Sequence, residues 1–448
     1  MEQEINRLSQ MKINRMRGLL LVIVAGIGSI CLCLTSMDLN DFLGKGCCLC
    51  ILLYLVWKGT KEKYLINPLF LFCILPISLL VYYPGISPRY LSNLNAMSWL
   101  LIVWNIFALV LGFYLTKSCS GFNVKVGRMT YKIYDNIKAV NLLKIHFLIA
   151  LFLGSLPTIY GLITGFGALI SGDIYSLRNY FYAFPAASII KFLQYFAIAC
   201  AFKLKKKRYI ALGILAQCAT ILMTFDKMGI LLFAMTVGIC WLKYYKISYV
   251  KICSFAIVFI VVMLWGFAFY DSIRSTISES MTDVLINRGD LFWHGPKALA
   301  MPYMYLVQGW NNVQYVLETQ ATHTWGLWFL NPILHYIPFK LDIEKELIAT
   351  SFFNTFTYVG VQFKDFGILG SGLVSAFLGW WIKKIYTLFL QNDSPISACI
   401  YALNATAVFQ MFFSNHFFTQ LYPFTMCLIL LIYEFVLLKI NIERPWND

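Results

Sequence analysis

The chain has 448 residues, 60% of them hydrophobic and only 13% charged. Soluble domains run near 45–50% and about 25%, so this chain has too little polar residue to cover a soluble core. Its 36 Lys and Arg against 21 Asp and Glu leave a net charge of +15, which in so apolar a chain reads as membrane topology and not as a nucleic-acid surface. The composition is that of an all-α polytopic integral membrane protein.

A spanning helix takes about 20 mostly apolar residues. In chain order the sequence predicts twelve, near 18–37, 42–57, 67–83, 95–115, 145–166, 186–203, 209–225, 228–242, 251–270, 366–382, 396–413 and 418–438. The second and eighth are short enough to be tilted, broken or re-entrant. The first run is span-length and lacks a small-residue cleavage site, so no cleavable leader is expected. Most of the thirteen cysteines lie inside apolar runs, where cysteine packs as a small hydrophobe. Cys47-Cys48-Leu49-Cys50 lacks a second ligand pair at zinc-site spacing.

Lysine and arginine concentrate on cytoplasmic connections. Here the clusters from Arg7 to Arg17, Lys58 to Lys63, Lys117 to Lys144, Lys203 to Arg208, Lys243 to Lys251, Lys383-Lys384 and Lys439/Arg444 fall on every second connection. Of the 36 basic residues, 25 lie on that side, 9 on the other, and Lys45 and Lys191 fall within spans. Both termini are therefore expected inside. The chain reads as nine helices over 1–270, one large outer loop over 271–365, and three helices over 366–448.

That loop is too long to be a plain connection. It carries Trp293, Trp310, Trp325 and Trp328 among many Tyr and Phe, which suits a folded cap at the membrane interface. Ser280–Leu291 and Ala298–Glu318 are expected to be amphipathic helices, with Pro302 interrupting or beginning the second. Any reactive site is expected at this outer face.

Within the spans ionisable residues are few, with Lys45 and Lys191 expected to snorkel from span ends. The outer face is richer. Arg178, Arg274 and Arg288 sit where topology does not call for cations, and a guanidinium fork suits phosphate oxygens; each also has an acid nearby to pair with, among Asp173, Asp283 and Asp290. Lys227, in the turn Asp226-Lys227, is either a local ion pair or a further phosphate contact. His294, His323 and His335 show no metal spacing; one of them, or Asp290, is a candidate general base on a hydroxyl. Asp38 and Asp41 flank the first outer turn. No metal or cofactor is expected.

The layout, with Tyr305-Leu306-Val307-Gln308-Gly309-Trp310-Asn311-Asn312-Val313, Ile333-Leu334-His335-Tyr336-Ile337-Pro338, Asn354-Thr355-Phe356-Thr357-Tyr358 and Asp365-Phe366-Gly367-Ile368-Leu369-Gly370, resembles bacterial O-antigen polymerases of the Wzy type. The resemblance implies a metal-independent, GT-C-like glycosyltransferase. It would be a multi-pass protein of the bacterial inner membrane with its active site facing the periplasm. Its substrate would be oligosaccharide repeat units carried on undecaprenyl diphosphate, and its partners membrane lipids, a chain-length regulator and a flippase. On that resemblance Arg178, Lys227, Arg274 and Arg288 hold the diphosphate. Arg288, Asp290, His294 and His335 form the catalytic group, and Tyr305, Trp310, Tyr358 and Asp365 contact sugar. The chain departs from the family in having lysine at Asp226-Lys227, where many relatives place arginine. It also has Phe353-Asn354 where the related O-antigen ligases show His-Asn. Arg288-Gly289-Asp290-Leu291-Phe292-Trp293 loosely resembles a ligase motif. The competing expectations are a ligase, a flippase or other carrier, and a membrane O-acyltransferase, the last on Trp293-His294-Gly295.

Overall fold

A computed structural model describes residues 2–62, 66–115, 137–224, 227–245, 281–319, 322–334, 356–414, 416–417, 423–430 and 432. Among them the only regular structure is helix. Six helices are long and apolar enough to cross a membrane: Gly18–Thr35, Leu39–Gly59, Ala96–Tyr114, Val140–Thr164, Ala187–Leu204 and Tyr358–Gln391. Shorter apolar helical stretches cover Pro68–Leu80, Met228–Tyr244 and Pro395–Phe409. The predicted span 251–270 and most of 418–438 lie outside the described residues.

The chain divides into two compact units. The first takes residues 1–116, 264–383 and 407–420, and the second 117–263, 384–406 and 421–448. The first begins with α1 (Glu2–Thr35), whose Val22, Ile27 and Leu34 are exposed, the surface an apolar helix turns to lipid. Next comes α2 (Leu39–Gly59), at 21 residues longer than hydropathy predicts. Asp38 accepts the Asp41 amide at 2.9 Å, an N-cap that adds one polar-faced turn ahead of the apolar run. The third predicted span is two pieces, α3 (Pro68–Phe72) and α4 (Ile74–Leu80). Pro76 has no N–H for the Phe72 carbonyl and crowds it, which breaks the helix at Cys73. After a 3₁₀ turn at Pro84–Ile86, Asn95 caps α5 (Ala96–Tyr114).

Lys45 overturns an expectation: it is fully buried and does not snorkel. Asp41 flanks the turn between α1 and α2 as expected, in the first turn of α2, but is only 3% exposed. The Lys45 ammonium donates to Asp41 Oδ2 at 2.7 Å, Thr35 O at 2.7 Å, Thr35 Oγ1 at 3.1 Å and Tyr82 O at 2.8 Å. A buried charge of this kind is tolerable only with such complete partnering.

The second unit holds α6 (Ile137–Thr164), α7 (Phe166–Ser171), α8 (Ile174–Ala183), α9 (Ala187–Ile190), α10 (Leu193–Leu204), α11 (Lys207–Thr224) and α12 (Lys227–Tyr244). The sixth predicted span is interrupted between α9 and α10, and Lys191 at that joint donates to the Tyr182 hydroxyl at 3.1 Å. Below the joint α10 is buried nearly all round. Gln194 donates there to Gly154 O at 3.1 Å and Thr220 Oγ1 at 2.9 Å, and Thr220 meets Thr158 at 2.6 Å. Polar side chains in an apolar interior are thus paired across α6, α10 and α11.

The remaining helices are α13 (Met281–Asn287), α14 (Lys297–Thr319), α15 (Leu327–Leu334), α16 (Tyr358–Gln391) and α17 (Pro395–Phe409). Pro302 neither interrupts nor begins α14, which runs through it. A proline this near the start forfeits only one early backbone bond. The span predicted from 366 starts at Tyr358, because Gln362, Lys364 and Asp365 are buried in spite of their polarity. Gly367, at φ 68° and ψ −170°, interrupts α16.

Candidate functional site

The site belongs to the first unit and begins at the end of α13. The Asp290 and Leu291 amides both bond to Leu285 O, at 3.0 and 3.2 Å, and Gly289 takes φ 71°. That left-handed residue is a common helix stop and one that glycine occupies without strain. The reversal leaves Arg288 exposed and turns Asp290 inward to 7% exposure.

Asp290 closes onto the segment between α4 and α5. Arg89 Nη1 donates to its two carboxylate oxygens at 2.9 and 3.0 Å, and the Tyr90 hydroxyl approaches Oδ2 at 3.3 Å. The Asp290 carbonyl accepts from Ser87 Oγ at 2.7 Å, and the Phe292 amide donates to Ile86 O at 2.8 Å. The ion pair is lopsided: the carboxylate side chain is 8% exposed and the arginine 63%. Asp290 raises the Arg89 pKa above its already high value, so this cation persists at any working pH. Burial, then the Asp290 carboxylate, raises the Tyr90 phenol above its ordinary value.

Helix α14 docks on α4 and on the same segment through polar groups at helical spacing. The Tyr303 hydroxyl donates to Val81 O at 2.9 Å and Trp310 Nε1 to Ser78 Oγ at 2.9 Å. Asn311 Oδ1 accepts from the Ser92 amide at 2.9 Å and its hydroxyl at 2.8 Å. Gln314 Oε1 accepts from the Asn95 amide at 3.0 Å. Burial lifts the Tyr303 phenol to about 12.

A second cluster surrounds Asp365, 1% exposed. Its carboxylate accepts from Thr324 Oγ1 at 2.6 Å, the Trp328 amide at 3.1 Å and the Phe329 amide at 2.9 Å. These are the orphan donors at the start of α15, so Asp365 caps that helix from a distance. Exposed His323 lies over Gly367, where a methyl would come within 2.9 Å of its Nε2, and its ring meets Phe363 edge-on at 5.7 Å.

The candidate residues therefore fall into distinct settings. Arg288 and His294 are exposed and lie two and four positions from Asp290 in the chain, and Arg288 has no ion-pair partner among the described residues. Trp310 and Tyr358 are fully buried and present no aromatic face to solvent; Tyr305 is half-buried, edge-on to Phe413 at 5.3 Å. Arg178 is exposed in the second unit, 5.8 Å from the Tyr182 ring. Arg274, His335 and the Lys227 side chain lie outside the described residues.

Sequence reasoning passed over Arg89, although the argument applied to the other outer arginines covers it equally. Its partner is 201 positions away and leaves no local signal. No protein-family model matches the chain, and neither a curated protein nor a solved structure matches it significantly.

Proposed function

We propose that this chain is a membrane glycosyltransferase that polymerises oligosaccharide repeat units carried on undecaprenyl diphosphate, at the outer face of a bacterial cytoplasmic membrane. The observation that carries this reading is the exposed Arg288 guanidinium, without an ion-pair partner among the described residues, on the turn after α13, inside the aromatic-rich segment that separates two groups of apolar helices. The charge distribution along the sequence assigns that segment to the outer side.

The reaction asks little else of the protein. A hydroxyl at the non-reducing end of the new unit attacks the anomeric carbon of the growing chain. A carbon–oxygen bond forms there as the bond to the diphosphate breaks, and lipid diphosphate leaves with the electron pair. A guanidinium at the leaving oxygens stabilises the charge that develops. The hydroxyl proton passes to a base. Exposed His294 and His323 have the access that role needs, whereas both oxygens of Asp290 are engaged by Arg89, which suits it to orienting that arginine.

The test is a gel of surface polysaccharide from a host lacking the gene, with lipid-linked intermediates analysed alongside. Core bearing a single repeat unit is the expected result. Bare core with long polymer stranded on the lipid carrier would mean a ligase. An unchanged ladder would reject both and favour a carrier or an acyltransferase. Arg288→Ala is expected to reproduce the single-unit phenotype while the protein still accumulates in the membrane.

A further inference from the structure

Arg89 has an unusual arrangement for a surface arginine. A guanidinium has five N–H donors in a planar fork. Asp290 occupies only one terminal nitrogen, Nη1, with both carboxylate oxygens. The Nη2 and Nε donors have no acceptor among the described residues, and the side chain is 63% exposed. The carboxylate is itself fixed: its residue is buried, Tyr90 adds a contact to Oδ2, and Ser87 and Ile86 hold the backbone on either side. Burying a carboxylate is costly unless it is fully partnered, and an exposed ion pair by itself gains little. The arrangement makes chemical sense when the buried acid serves to aim the exposed base.

We infer that Arg89 is a second diphosphate-binding residue beside Arg288, aimed by Asp290; this rests on the glycosyltransferase reading above. The edge formed by Nε and Nη2 is the one that takes two oxygens of a phosphate in parallel. Arg288 is two residues from Asp290, and Arg89 and Arg288 both act electrostatically on Tyr90, whose hydroxyl approaches the Asp290 carboxylate. Those three charges sum to +1, leaving an anionic ligand to complete the balance. Lysine at position 89 would keep the charge and forfeit the fork.

The test uses the full chain in phosphatidylcholine nanodiscs titrated with undecaprenyl diphosphate, and separately in nanodiscs containing phosphatidylglycerol. Arg89→Ala alone strands a buried carboxylate, so the informative variants are Arg89→Lys, Asp290→Asn and the double variant Arg89→Ala/Asp290→Asn. Each is first checked for unchanged accumulation and melting. Saturable binding to the parent chain is expected, weakened about tenfold or more in Arg89→Lys and in the double variant, and less in Asp290→Asn. Parent-like affinity in Arg89→Lys and the double variant, with loss in Arg288→Ala, would overturn the role of Arg89 and leave the enzyme reading intact. Parent-like affinity in Asp290→Asn alone would overturn its aiming role. No saturable binding to the parent would overturn the enzyme reading itself. Equal, Arg89-dependent affinity for phosphatidylglycerol would overturn the diphosphate assignment in favour of a membrane phosphate.

Discussion

Gly112 of α5 and Ala376 of α16 meet backbone to backbone, so that a methyl group on Gly112 would overlap the Ala376 carbonyl. Gly379 repeats the contact against the Leu109 carbonyl. With lipid as the alternative solvent, helices gain little by burying leucine, and close backbone approach through small residues is what holds them together. Gly112→Ala is therefore expected to lower the melting temperature of the detergent-solubilised protein, at a cost of about 1–3 kcal/mol for overpacking. Gly46, whose added methyl meets nothing within 4 Å, is the control. Gly46→Ala should be neutral or stabilising by up to about 1 kcal/mol, and equal losses at both positions would contradict this account.

Lys45 and Asp41 stabilise only as a pair. Removing one partner of a buried pair costs about 3–5 kcal/mol, because the other charge is left unpaired. Lys45→Met should sharply reduce accumulation and thermal stability, and Lys45→Met/Asp41→Asn should recover most of both. A double variant no better than the single would show that Lys45 matters through Thr35 and Tyr82 alone.

Asp365 offers a way to separate structure from chemistry. Asp365→Ala leaves Thr324 and the first amides of α15 without their acceptor, a loss of about 1–3 kcal/mol. The 322–334 segment should become the first site of limited proteolysis. Loss of polymer with unchanged proteolysis and melting would instead support the sugar contact that the family resemblance implies.

Tyr303 gives a pH signature. Its phenol rises from an ordinary value of 10.0 to about 12 in the folded protein. The unfolded chain therefore loses this proton first, and the folded state is stabilised below pH 10. That contribution drains away as pH rises from about 10 towards about 12. Parent minus Tyr303→Phe, compared by melting temperature across that window, should show a difference that shrinks with pH. A constant difference would mean that Tyr303 titrates normally.

Six of the predicted spans correspond to described helices long and apolar enough to cross a membrane, with boundaries that differ where a side chain intervenes. Asp38 extends α2, Pro76 splits the third span, and the buried polar run Gln362 to Asp365 starts α16 early. Asp365-Phe366-Gly367 can be read in the sequence as a motif but not as a joint. Its aspartate caps α15, and its glycine makes room for His323. The pairing of Arg89 with Asp290 was not legible, because a contact between distant loops is set by packing and leaves no periodicity. The same holds for Trp310, whose ring nitrogen donates to Ser78 Oγ across 232 positions of sequence.

The Lys45 contacts also bear on how the protein enters its membrane. A lysine or aspartate at the centre of an inserting helix is penalised by about 2.5–3.5 kcal/mol, and by less towards its ends; α2 carries both in its first two turns. Three of the four acceptors of Lys45, two on Thr35 and one on Asp41, are synthesised before it. The ammonium can therefore be neutralised as soon as α1 and α2 fold back on each other. Inserting as a hairpin hides both charges, whereas inserting one helix at a time exposes them to lipid. Tyr82, made 37 residues later, then locks the hairpin to the end of α4.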